Sequence, residues 1–192
     1  MRSTADTIVL VPGLRGHVSA HWQTRLEATL PNAISVPGLG SSYPSLDDRV
    51  ALLHRIVEDV DRPVTLVAHS AGVLTAVHWA ARVVGSVPVT GALLVTPPTL
   101  AAPLPAPYPA LAELRANGWL PIPTAPLPFP SIVAASTNDA LGDHEQVRAL
   151  ADAWGSRFHS LGPVGHLNPA SGYGDWPEAE TLLDQLSGAL VG

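Results

Sequence analysis

Apolar and polar positions along this chain fall into two alternating rhythms. Short apolar runs rich in β-branched side chains recur at residues 7–11, 33–36, 64–68, 89–95, 131–136 and 157–160. These read as strands. Between them lie longer stretches whose apolar residues are three or four apart. Leu46, Val50, Leu53, Val57 and Val60 form one stripe on a helix over 46–60, with Asp47 and Asp48 in its first turn. Helices are likewise predicted at 22–30, 71–83, 145–154 and 177–191, the last with proline in its first turn. The run 64–68 (VTLVA) is apolar on both faces. Strands of that kind, alternating with helices, predict a parallel sheet covered by helices on both sides, a three-layer α/β arrangement. Right-handed crossovers narrow its topology.

One stretch breaks the rhythm. Residues 97–130 hold eleven of the twenty prolines, so little of it can be regular helix or central strand. Within it, 108–117 is readable as a short helix with Pro109 early and Gly118 after its end. A loop this long at a strand end is read as a proline-rich loop or partial cap over a site.

Composition narrows the function. The chain has 192 residues, 46% of them hydrophobic, and no linker-like stretch. That predicts a single domain over 1–192. There is no cysteine, which excludes disulfide scaffolds, cysteine nucleophiles and thiolate zinc sites. There is no lysine either, since all ten basic residues are arginines. Schiff-base chemistry and a P-loop lysine are thereby excluded. A net charge of −6 without a basic cluster argues against a nucleic-acid partner. No apolar run approaches the roughly 18 residues of a membrane span. The apolar stretch near the start stops at Pro12-Gly13, too short for a signal peptide. The expectation is a cytoplasmic protein with no membrane partner, no cofactor and no metal; the oligomeric state is not readable.

The strongest chemical signal lies where the third strand runs into Ala68-His69-Ser70-Ala71-Gly72 and then a helix. A serine on so tight a turn projects its hydroxyl from the carboxyl edge of the sheet. The residues two positions away must be small, as in G-x-S-x-G; here the first is Ala68. The following helix aims its positive end at the same point. A serine needs a base, and the base needs an acid to hold its tautomer. Asp139 follows the fifth strand and His166 the sixth, at the same edge. Asp143 competes as the acid but has the look of a helix N-cap. His159 lies within a strand. His17, His21, His54, His78 and His144 are read as packing or surface residues, and the i,i+4 pair His17/His21 lacks a third metal ligand. An oxyanion hole needs two N–H donors. Ala71 offers one; Leu14, or else Gly13, offers the other from the loop after the first strand.

Several segments resemble the α/β-hydrolase superfamily, and more narrowly the small serine hydrolases of the retinoblastoma-binding protein 9 and YdeN family. They are VPGLRG at 11–16, HWQ at 21–23, VAHSAG at 67–72, ALLVTPP at 92–98, ASTNDALG at 135–142 and GHLNPASGYGDWPE at 165–178. The resemblance implies a minimal α/β-hydrolase fold without the superfamily's first two strands, and a triad of Ser70, Asp139 and His166. Two departures are Ala140-Leu141, where members often have Pro-Tyr, and a segment 41–46 without their tryptophans. The predicted sheet order is 2-1-3-4-5-6, which reverses between strands 1 and 3 and opens a crevice at their carboxyl ends.

The function expected is hydrolysis of esters with small or medium acyl groups. Gly13, His69, Tyr108, Trp119 and Phe129 are the candidate substrate-binding residues. The alternatives are an amidase or peptidase, an acyltransferase with the same triad, and a non-catalytic binding protein on a hydrolase scaffold. The partner expected is a small ester or amide.

Overall fold

The computed structural model describes residues 6–16, 18–38, 45–83 and 89–188. Within them six strands form one parallel sheet. In chain order they are β1 (Thr7–Val11), β2 (Ala33–Ser35), β3 (Val64–His69), β4 (Val89–Val95), β5 (Ser131–Ala135) and β6 (Arg157–Ser160). Six α-helices accompany them: α1 (Trp22–Thr29), α2 (Leu46–Asp59), α3 (Ala71–Arg82), α4 (Leu111–Ala116), α5 (His144–Ala153) and α6 (Glu178–Gly188). The sheet order is β2-β1-β3-β4-β5-β6, all neighbours parallel.

Side-chain alternation along the strands explains the layers. Val9, Val11, Leu66, Ala68, Ala92, Leu94, Val133 and Ala135 face one core, shared with Leu46, Leu53 and Val57 of α2, Val73 and Val77 of α3, and Val147 of α5. Their neighbours Ile8, Leu10, Val67, Leu93, Val95, Ile132 and Ala134 face the other, with Trp22 and Leu26 of α1 and Leu182, Leu183 and Leu186 of α6. Burial on both faces is why β3 and β4 read as continuous apolar runs.

Helix ends follow local chemistry. Ser45 Oγ accepts the Asp48 N–H and starts α2; Asp143 does the same for Gln146 and starts α5. The sequence pattern placed α4 at 108–117, but it spans Leu111–Ala116. Tyr108 is spent in a separate turn, its N–H donating to Pro105 O, and the extended backbone of Ala110 delays the start. The end is a Schellman turn: Gly118 has φ 86°, its N–H donates to Arg115 O, and the Trp119 N–H donates to Leu114 O. That turn plants Trp119 inward. His17, positions 41–44 and the end of the closing helix beyond 188 lie outside the described residues.

Among the described residues, no helix is long and apolar enough to cross a membrane. The order of strands reverses between β1 and β3, so their carboxyl ends open a crevice. Ser70 and the loop after β1 sit there.

Candidate active site

β3 ends at His69, α3 begins at Ala71, and Ser70 makes the turn alone with φ 58° and ψ −125°. Backbone in that region is sparsely populated and persists only where its surroundings hold it. Here the Ser70 N–H donates to Val95 O, and Ser70 O accepts the Val73 N–H. The turn brings α3 against the end of β1. A Cβ on Gly72 would sit 2.0 Å from Val11 O, so only glycine fits. On the strand side the demand is weaker, and Ala68 stays in regular register opposite Val11 and Leu94. Gly72→Ala is expected to cost about 3 kcal/mol, because the clash is with backbone that cannot rotate away. That lowers Tm by roughly 6–12 °C for a chain of this size, measured by thermal denaturation.

Asp139 follows β5 and His166 follows β6. The His166 Nδ1–H donates to Asp139 Oδ2 at 2.7 Å, and the Ser70 hydroxyl donates to His166 Nε2 at 2.8 Å. The other carboxylate oxygen, Asp139 Oδ1, accepts the Leu141 N–H at 2.9 Å. The Asp139 side chain is 2% exposed and that of His166 10%. Their two loops are laced together. Asn138 Oδ1 accepts the Gly165 N–H, and Ser136 Oγ accepts the Val164 N–H. Ser171 Oγ accepts the His166 N–H, and Asn168 caps the short turn that carries Ser171. Gly165 has φ 60°, and a Cβ there would meet Ser171 Oγ at 2.6 Å. The competing residues do other things. Asp143 is the N-cap of α5, and His159 Nε2 lies 2.9 Å from Glu178 Oε1.

His69 bonds to the backbone of His166, while the serine hydroxyl bonds to its ring. The His69 Nε2–H donates to His166 O at 3.0 Å, bracing that backbone. Burial above all, then the neighbouring His166 and His21, hold its pKa well below the ordinary histidine value. It is therefore neutral at neutral pH. His21 packs edge-on against it, with ring centroids 4.6 Å apart.

A cavity of about 160 Å³ opens over Ser70. Its wall includes Gly13, Leu14, His69, Ser70, Ala71, Tyr108, Trp119 and His166, all singled out from the sequence. The 97–130 segment contributes Pro98, Leu100, Leu104, Tyr108, Leu114 and Trp119. Phe129 is a correction. It is not part of the wall; it is 6% exposed within the α2/α3-side core, where its apolar ring anchors the chain before β5. Sequence reading also passed over wall residues His21, Gln23, Leu74 and Asn168. The HWQ and GHLN segments held a signal for three of them. A hydroxyl, an imidazole and a carboxylate joined in this way, beside an apolar cavity, can deliver an activated oxygen nucleophile to a bound carbonyl.

The serine hydrolase family model matches residues 8–185. The chain belongs to the serine hydrolase family. No curated protein sequence matches it significantly. Among solved structures, a YdeN-like hydrolase from Pectobacterium atrosepticum is 29% identical, with a TM-score of 0.80 over 97% of this chain and 92% of that one. The ydeN gene product from B. subtilis has a TM-score of 0.71 at 18% identity, covering 94% of this chain and 98% of that one. An esterase domain from Rhodothermus marinus has a TM-score of 0.63 at 16% identity, covering 97% and 86% respectively. The fold of this serine hydrolase is that of the α/β-hydrolases.

Proposed function

We propose that this serine hydrolase cleaves carboxylic esters of small to medium apolar acyl groups through an acyl-enzyme. The observation that carries the reading is the unbroken hydrogen-bond chain from Asp139 through His166 to Ser70. Ser70, on the nucleophile elbow, attacks the ester carbonyl while His166 Nε2 takes its proton. Asp139 holds the Nδ1–H tautomer and stabilises the imidazolium. The Ala71 and Leu14 N–H groups hold the oxyanion, aided by the N-terminal dipole of α3. His166 returns the proton to the leaving alkoxide. A water, deprotonated by His166, then attacks the acyl-enzyme, and Ser70 leaves with the proton restored.

The acyl group is read from the cavity. Leu74, Leu100, Leu104, Leu114 and Trp119 give it an apolar wall. A cavity near 150 Å³ holds a benzene ring, so about six acyl carbons fill this one. Each buried methylene contributes about 0.8 kcal/mol, about fourfold in kcat/KM, until the space is full. The 97–130 segment acts in this account as a partial cap.

The test is a series of p-nitrophenyl esters from acetyl to decanoyl, run beside aminoacyl amides. The expected kcat/KM rises to a maximum at about four to six carbons and falls beyond it, with amides far slower. Leu104→Trp is expected to shift the optimum toward acetyl, costing the hexanoyl ester about tenfold and the acetyl ester little. Faster cleavage of amides than esters would replace this reading by an amidase. Unchanged chain-length preference in Leu104→Trp would show that the cap does not select the acyl group.

A further inference from the structure

Arg49 is the one charged residue among the buried positions of α2, whose others are Leu46, Val50, Leu53 and Val57. It is 5% exposed, and among the described residues no carboxylate pairs with it. Burying an unpaired guanidinium is costly, and an apolar side chain of similar volume fills such a site more favourably. What Arg49 touches explains its presence. Its Nη2 donates to Pro12 O at 2.5 Å and reaches Gly13 O at 3.4 Å. Its Nε donates to Thr75 Oγ1 at 3.1 Å, and that hydroxyl donates in turn to Ala71 O at 3.0 Å. The guanidinium lies 5.8 Å over the ring of Trp119. One side chain thus ties the loop after β1 to the first turn of α3.

Those are the two segments that carry the oxyanion donors. The Pro12 carbonyl, the closer partner, shares a peptide unit with the Gly13 N–H, and the Gly13 carbonyl, the longer contact, shares one with the Leu14 N–H. In a trans peptide the carbonyl and the N–H point to opposite sides, so a cation holding the carbonyl from behind fixes where the N–H points. It also polarises the unit and makes that N–H a stronger donor. Arg49 itself is absent from the cavity wall, so it touches no substrate. We infer that Arg49 is a positioning residue for the oxyanion hole, setting the Gly13–Leu14 peptide against the Ala71 N–H from beneath the site. This rests on the esterase reading above. Burial lowers the pKa of Arg49 to about 10, which leaves it charged across the neutral range.

An oxyanion hole acts on the transition state more than on the bound ester, so its loosening falls on kcat. Arg49→Met keeps the volume and removes the charge and donors. With p-nitrophenyl butyrate, kcat is expected to fall by about 30–100-fold while KM stays within about threefold, since losing one donor outright costs on the order of 10²–10³. Tm is expected to hold or rise. Arg49→Lys keeps the charge but lacks the planar fork, and is expected to recover part of the loss, leaving a deficit of about tenfold. A folded Arg49→Met with kcat within threefold of the parent enzyme would overturn the inference, as would a loss confined to KM. If Arg49→Met does not fold, Arg49→Lys decides by the same readouts, and an unchanged kcat there overturns it. Failure of the underlying reading is separately visible in the unsubstituted enzyme, which would then turn over butyrate no better than background or more slowly than the aminoacyl amides.

Discussion

Ser70→Ala is expected to lower ester turnover by on the order of 10⁶-fold, to near background. In the proposed mechanism the hydroxyl oxygen forms the acyl bond, and the described cavity holds no other hydroxyl on a strained turn beside His166. The fold should survive. Ser70 makes no capping bond with its side chain, and its backbone bonds to Val95 and Val73 do not involve the hydroxyl. Alanine carries the same Cβ into the same φ of 58°, so the backbone strain is unchanged. The loss is one hydrogen bond to His166, about 1 kcal/mol. Thermal denaturation run beside the kinetics separates lost chemistry from lost structure. Substantial ester turnover by a folded Ser70→Ala would remove Ser70 from the mechanism.

Asp139→Asn is the second large effect, on the order of 10⁴-fold in kcat. The geometry says why an isosteric change is so damaging. Asp139 accepts two donors, His166 Nδ1–H on one oxygen and the Leu141 N–H on the other. An asparagine must present its one carbonyl oxygen to the backbone N–H, which cannot change its nature. Its NH₂ then faces His166 and forces the proton from Nδ1 to Nε2. A ring protonated at Nε2 cannot take the Ser70 proton. Asp143→Asn supplies the contrast. Asp143 caps α5 through Gln146 N, and asparagine caps about as well as aspartate, so activity should stay within about twofold. A crippled Asp143→Asn beside an active Asp139→Asn would move the acid to the wrong side of the loop.

The fold was legible because both faces of the sheet are covered. Runs such as 64–68 and 89–95 have no polar face, and only parallel strands between helix layers bury them that way. The chain order of Ser70, Asp139 and His166 was legible too, since each follows a strand at the same edge. Less visible were residues whose role is set by tertiary contact. Arg49 lies three residues after Leu46 and four before Leu53, on the edge of the apolar stripe of α2, but the pattern does not say what a buried guanidinium there would touch. Its carbonyl partners at Pro12 and Gly13 lie 37 and 36 residues away. His21 was read as a packing or surface residue; it borders the cavity and packs edge-on against His69. Phe129 erred in the opposite direction. An aromatic in a proline-rich loop is equally a pocket wall or an anchor, and Phe129, two residues before β5, packs into the core.

The most direct measurement is the mass of the enzyme after exposure to a fluorophosphonate, followed by peptide mapping of the modified residue. A phosphonyl fluoride reacts only with a nucleophile that a base has activated beside an oxyanion hole. One phosphonyl adduct per chain is expected, located on Ser70, absent in Ser70→Ala and strongly slowed in Asp139→Asn. No adduct on a folded enzyme, or an adduct on any residue other than Ser70, would contradict the proposed mechanism.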